Sequence, residues 1–230
     1  MKHVVAFLVR VALLAFVCFM FWLATVAILS SIVNLSVIVV GVLLTFPVVW
    51  LGRKVLDRHQ TIGYAVWTTT LVHVAIALTI GVPVVRALTT HRDWPGWALP
   101  VPSAIGLAMV IVTGAACLLV VGNLALKGLG APGIALSRKL ASDWFYAWSR
   151  NPMALAALAF FASLGIWFQS ALFVLWVLVL VAPAALFFIR VYEERELEIR
   201  FGEAYRRYRA STPFLWPSIR PHTPPTSART

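Results

Sequence analysis

Long apolar runs separated by short polar clusters set the pattern of this chain. The first run, about residues 4–51, exceeds the roughly 20 residues that one membrane crossing needs. Ser30, Ser31, Asn34 and Ser36 form its polar break and divide it into two helices joined by a tight turn. Further apolar runs cover residues 61–85, 103–126, 152–168 and 171–189, with Gln169 and Ser170 as the turn between the last two. Between the third and fourth runs, residues 89–97 carry His91, Arg92, Asp93, Trp94, Pro95 and Trp97 and read as an interfacial loop. The pattern predicts an all-α, polytopic membrane bundle of about six transmembrane helices. After the last span, Leu197, Phe201, Tyr205 and Tyr208 recur at helical spacing and predict a cytoplasmic C-terminal helix over residues 190–208.

Composition agrees with that reading: 61% of the 230 residues are hydrophobic and 12% charged, which excludes an ordinary soluble domain, disorder and a disulfide-stapled module. The net charge of +11 would suggest nucleic acid in a soluble protein, but here the basic residues flank apolar spans. With the N-terminus inside, 17 of the 19 basic residues fall on one side and only Arg86 and Arg92 on the other. The positive-inside rule then puts both termini in the cytoplasm. Cys18 and Cys117 sit inside apolar runs and read as small buried residues, and no Cys/His cluster has metal-ligand spacing. The Pro-, Ser- and Thr-rich residues 218–230 read as a disordered tail.

Chemistry has few places to sit. All eight acidic residues lie outside the predicted spans, and five of them crowd into residues 193–203. Glu196–Arg200 and Glu203–Arg207 are i,i+4 pairs with Glu on the favoured side, and Gly202 interrupts the helical pattern as a kink or a close approach. Such a segment fits a helix lying along the membrane surface. The Glu193–Glu194 pair fits that picture poorly, because carboxylates at an anionic leaflet are disfavoured and are better explained by a cation or hydroxyls to bind. His73 lies mid-span and has two readings, a functional group or a neutral packing histidine. Arg10 is placed to snorkel to the interface. A Gly128–Leu129–Gly130 turn could let backbone approach a ligand.

Two elements occur together: Tyr146-x-x-x-Arg150-Asn151-Pro152-Met153, and, after a helical hairpin, Glu193-Glu194-x-x-Leu197-x-x-x-Phe201-Gly202-x-x-Tyr205-x-x-Tyr208. This arrangement resembles the isoprenylcysteine carboxyl methyltransferase family and, more broadly, integral-membrane methyltransferases including phospholipid N-methyltransferases. The resemblance covers about residues 128–217. Asn151 stands where the family often has His, and Ala154 where a Tyr usually follows the Met. The resemblance implies S-adenosylmethionine as cofactor, bound by Tyr146, Arg150, Asn151, Pro152, Glu193 and Glu194, with no metal and no nucleic-acid partner. It divides the chain into four N-terminal spans (1–126), a methyltransferase-like region (127–217) and the tail.

The chemistry of the cofactor suits those residues: sulfonium, ammonium and ribose diol match carboxylates, and adenine matches a wall to which Trp148, Tyr205 and Tyr208 could contribute. The acceptor implied is lipophilic, for instance a prenylcysteine-type carboxylate held by Arg200, whose alternative role is its pair with Glu196. For an amine acceptor, Glu194 is the candidate proton sink. Two rival readings are an NADPH-dependent membrane sterol-type reductase and a non-enzymatic transporter or scaffold.

Overall fold

The computed structural model describes residues 2–126 and 140–219, with side chains from residue 4. Among these residues there are no strands, and seven helices carry the fold: α1 (Lys2–Val26), α2 (Ser31–Arg58), α3 (Ile62–Asp93), α4 (Ser103–Leu126), α5 (Pro152–Trp167), α6 (Ala171–Phe201) and α7 (Glu203–Ser211). Five of them, α1–α4 and α6, are long and apolar enough to cross a membrane, while α5 is a shorter apolar helix of the same bundle. The protein is therefore a multi-pass membrane helix bundle. The Gly128–Gly130 turn and the tail beyond residue 219 lie outside the described residues.

The polar positions end helices for identifiable reasons. Ser30 caps α2 by accepting from the Val33 amide, and its neighbours make the tight turn from α1. Asn34 and the buried Arg86 hold that turn: the Arg86 guanidinium donates to Asn34 Oδ1 and to the Ala24 and Ala27 carbonyls, both at 2.9 Å. At the α5–α6 turn, Gln169 takes φ +57° as the left-handed residue that ends α5. The Ser170 amide donates to the Gly165 carbonyl at 2.9 Å, and Ser170 Oγ caps α6. Gln169 Nε2 also donates to Val101 O at 2.8 Å and the Ala171 amide to Trp97 O at 2.9 Å, so the α3–α4 loop and this turn share one end of the bundle.

Several helices overrun the predicted spans. The second helix ends at Arg58 and not near residue 51, and the third runs from Ile62 to Asp93, so its last turns are helical where a loop is predicted. Both α3 and α6 carry π-turns, Ala77–Gly81 and Val177–Val181, each followed two residues later by a proline (Pro83, Pro183). A proline has no N–H to give the preceding turn, and widening that turn relieves the gap in the hydrogen-bond ladder.

The largest correction concerns the C-terminal helix. It is not one helix over residues 190–208: α6 runs on without a break to Phe201, and Gly202, at φ +53° and ψ −127°, then turns the chain into α7. Nothing lies within 4 Å of a Cβ built on Gly202, so it is this backbone conformation, rarely open to L side chains, that calls for glycine. The predicted apolar stripe is accordingly split between two helices. Tyr205 and Tyr208 are buried on α7, and Glu203 pairs with Arg206 at 2.6 Å instead of Arg207. The extension of α6 does not lie on a surface either. Tyr192 and Glu194 are about 200° apart around a helix, yet both are buried, so the extension is packed on opposite faces. The cysteines are also less enclosed than expected: Cys18 is exposed on the bundle surface and Cys117 half-buried, both free.

Candidate active site

The charged end of the bundle is built around a third π-turn, Phe188–Glu193, which passes directly into the helical turns from Glu194. No proline explains this one. Arg53 of α2 donates from Nη1 to the Val191 carbonyl at 2.9 Å, a side chain entering the ladder of α6 where the turn widens. Arg53 also pairs with Asp57 at 2.7 Å, and Asp57 with Arg195 at 2.9 Å, so α2 clamps the extension from outside.

One face of the extension meets the loop before α5. Arg150 Nη1 lies 2.8 Å from Glu194 Oε1, and both side chains are about nine-tenths buried. The neighbouring Glu193 carboxylate has no hydrogen bond or ion pair with any described residue. Its nearness is registered by Tyr146, whose hydroxyl is held well above the usual tyrosine range by burial and, secondarily, by the Glu193 charge. Tyr205 is raised in the same way, by burial first and then by Glu194 and Glu193, with Arg150 opposing. Tyr208 donates from its hydroxyl to the Tyr146 carbonyl at 2.7 Å, which seats α7 on this loop.

The segment after α7 straps the same loop. The Arg150 amide donates to Pro213 O at 2.9 Å, Ser149 Oγ to Leu215 O at 2.8 Å, and the Ser218 amide to Trp148 O at 2.9 Å. Asn151 Nδ2 donates to Phe214 O at 2.7 Å, and the Phe214 ring lies under the guanidinium groups of Arg150 and Arg190. Pro152, buried, opens α5, where its missing N–H leaves nothing unsatisfied. Thus Tyr146, Arg150, Glu193, Glu194 and Tyr205 gather in one cluster, whereas the Asn151 amide faces the strap. Trp148, proposed for an aromatic wall, is 39% exposed.

The opposite face of the extension meets α3. Glu196 is buried and pairs with Arg200 at 2.7 Å. Tyr192, fully buried, shares a hydrogen bond of 3.0 Å with Thr69 Oγ1. It reaches that position because Gly52 of α2 has no side chain: a Cβ there would stand 2.9 Å from the Tyr192 ring. His73 lies on α3, inside the apolar span Ile62–Asp93. Its ring edge packs on Phe188 with centroids 5.4 Å apart, and it lies within electrostatic reach of Glu196, level with the acidic turn. Sequence reasoning placed Thr69 and Tyr192 nowhere near a site, and periodicity gives no signal for a contact across 123 residues. Arg10 stacks over Trp67 at 5.6 Å. A cleft of about 440 Å³ lined by His91, Arg92, Trp94, Trp167 and Gln169 lies at the far end of the bundle, away from every residue of this cluster.

With that geometry in view, the model of the phospholipid methyltransferase family matches residues 101–204. It is a membrane-embedded methyltransferase domain. The match takes in α4, α5, α6 and the first residues of α7, including α4, where motifs alone carry no family signature. The activity is S-adenosylmethionine-dependent methyl transfer, which separates the methyltransferase from the reductase and transporter readings. Neither among curated proteins nor among solved structures does any match this chain. The methyltransferase's first three helices lie outside the matched region.

Proposed function

We propose that this methyltransferase binds its cofactor between α6, α7 and the loop before α5, and methylates the amine of a membrane phospholipid. The observation that carries the reading is the unpaired Glu193 carboxylate beside a neutralised Arg150–Glu194 pair. Arg150 and Arg200 are each matched by a glutamate, and the Glu193 carboxylate stands unpaired beside them. Such a balance suits cationic groups: the sulfonium and ammonium of the cofactor, and an amine acceptor more than a prenylcysteine-type carboxylate. When bound, the cofactor supplies a methyl carbon already activated by its sulfonium.

In this reading Glu193 holds the ammonium or the ribose hydroxyls, Arg150 fixes the Glu194 carboxylate, and Tyr146, Tyr205 and the strap enclose the remainder. Pro152 and Asn151 set the entry of α5 and the seat of the strap. Orientation and exclusion of water supply most of the rate in such an in-line displacement. The acceptor reaches the site laterally from the bilayer. The basic end of the bundle faces the cytoplasm, because Arg53, Lys54, Arg58, Arg150 and the arginines after residue 189 all stand there.

The test is transfer of labelled methyl groups by protein reconstituted into vesicles containing phosphatidylethanolamine, beside vesicles carrying a farnesylcysteine analogue. Label in the phospholipid is the expected result. Label confined to the farnesylcysteine ester would overturn the amine reading and assign Arg200 the carboxylate.

A further inference from the structure

Methylating an amine at neutral pH requires a group that removes its proton; Glu194 is committed to Arg150, and Glu193, in the reading above, to the cofactor. We propose that His73, on α3 and outside the matched region, is the residue that takes this proton. The proposal rests on the amine-acceptor reading above. His73 Nδ1 lies 2.8 Å from the Thr69 carbonyl, an oxygen that can only accept, so Nδ1 carries the hydrogen. That fixes the tautomer and leaves Nε2 with a free lone pair, which has no hydrogen-bond partner among the described residues. The backbone of Thr69 is itself steadied, since its hydroxyl is bonded to the buried Tyr192.

The surroundings suit a base that becomes charged only briefly. Phe188 packs edge-on against the ring and Glu196 lies within electrostatic reach, itself balanced by Arg200. Glu196 also lies within reach of Glu193, so the α3 face and the cofactor face join through one acidic turn. The residue as a whole is half-buried.

The ammonium of the acceptor gives one proton to His73 Nε2. The freed nitrogen lone pair forms the new N–C bond, and the C–S bond of the methyl donor breaks with its electron pair retained on sulfur as a neutral thioether. The methylated nitrogen keeps the positive charge, and the imidazolium, within electrostatic reach of Glu196, returns its proton to water.

The test uses the full chain in phosphatidylethanolamine vesicles, with His73→Gln and His73→Ala variants, measuring both S-adenosylhomocysteine affinity and methyl transfer. The expected result is affinity within about twofold of the parent and transfer lowered about a hundredfold or more, the range typical of a lost general base. Added imidazole should restore transfer about tenfold in His73→Ala and leave the parent unchanged, a rescue that a purely structural histidine would not show. Transfer by His73→Gln above about a third of the parent rate, or a loss of S-adenosylhomocysteine binding in that variant, would overturn the proposal. Parent protein that binds S-adenosylhomocysteine but leaves the phospholipid unlabelled refutes the amine reading, and His73's role with it. Absence of S-adenosylhomocysteine binding in the parent refutes the cofactor site instead.

Discussion

On one face of α6, Glu194 meets Arg150 at 2.8 Å, and the loop that carries Arg150 is tied down by α7 and the strap after it. On the other face, Glu196 turns toward α3, where Thr69, His73 and Tyr192 form a smaller polar group without a strap. Both faces belong to the same helical turns, yet the first is built mainly from segments inside the region that the family model matches, with Tyr205, Tyr208 and the strap lying beyond its end. The second uses α3, which lies outside the match. The difference teaches how one helix can serve two partners. Residues two apart on a helix point to opposite sides, so Glu194 and Glu196 separate the proposed cofactor face from a face that this chain builds with its N-terminal helices.

The comparison can be broken most forcefully at the buried ion pair. Arg150→Ala leaves Glu194 buried and unpaired, which costs about 3–5 kcal/mol. A thermal melt in detergent should fall sharply and S-adenosylhomocysteine binding should vanish. A melt close to the parent's would mean that the pair is not what organises the first face. Gly202→Ala comes next, because it forces an L residue into φ +53°, ψ −127° at a cost of about 1–3 kcal/mol. Since this shifts α7 away from Tyr146, cofactor affinity should drop with stability, while an unchanged affinity would detach α7 from the site.

Asn151→Ala removes the hydrogen bond to Phe214 O and tests the strap. The expected cost is about 1 kcal/mol, read as faster S-adenosylhomocysteine release in stopped-flow fluorescence. The smallest effect on cofactor affinity belongs to the Thr69–Tyr192 bond of the second face. Thr69→Val deprives Tyr192 of its partner and should cost about 1–2 kcal/mol in stability while leaving cofactor affinity within about twofold. An affinity loss as large as that of Gly202→Ala would erase the distinction between the faces.

Much of the bundle was legible in the apolar pattern. The break at Ser30–Asn34 and the turn at Gln169–Ser170 are polar islands inside apolar runs, and each corresponds to a capped turn. The motif residues Tyr146, Arg150, Glu193, Glu194 and Tyr205 also come together in space. What failed to show is where helices end once charge is no longer a stop signal. Arg190 to Arg200 read as the start of a separate surface helix, but α6 continues because Arg53, Arg150 and Asp57 supply partners for its charges inside the bundle. The strap left only one trace, the prolines at 213 and 217, because its bonds use backbone carbonyls that carry no side-chain signature.

The measurement that bears most directly on the cofactor face is calorimetric titration of detergent-purified protein with S-adenosylhomocysteine, alongside Glu194→Gln and an NADPH control. The account predicts saturable binding by the parent, weakened at least about tenfold in the variant, a loss near 1.4 kcal/mol, with no response to NADPH. Equal binding by parent and variant, or saturation by NADPH alone, would contradict it.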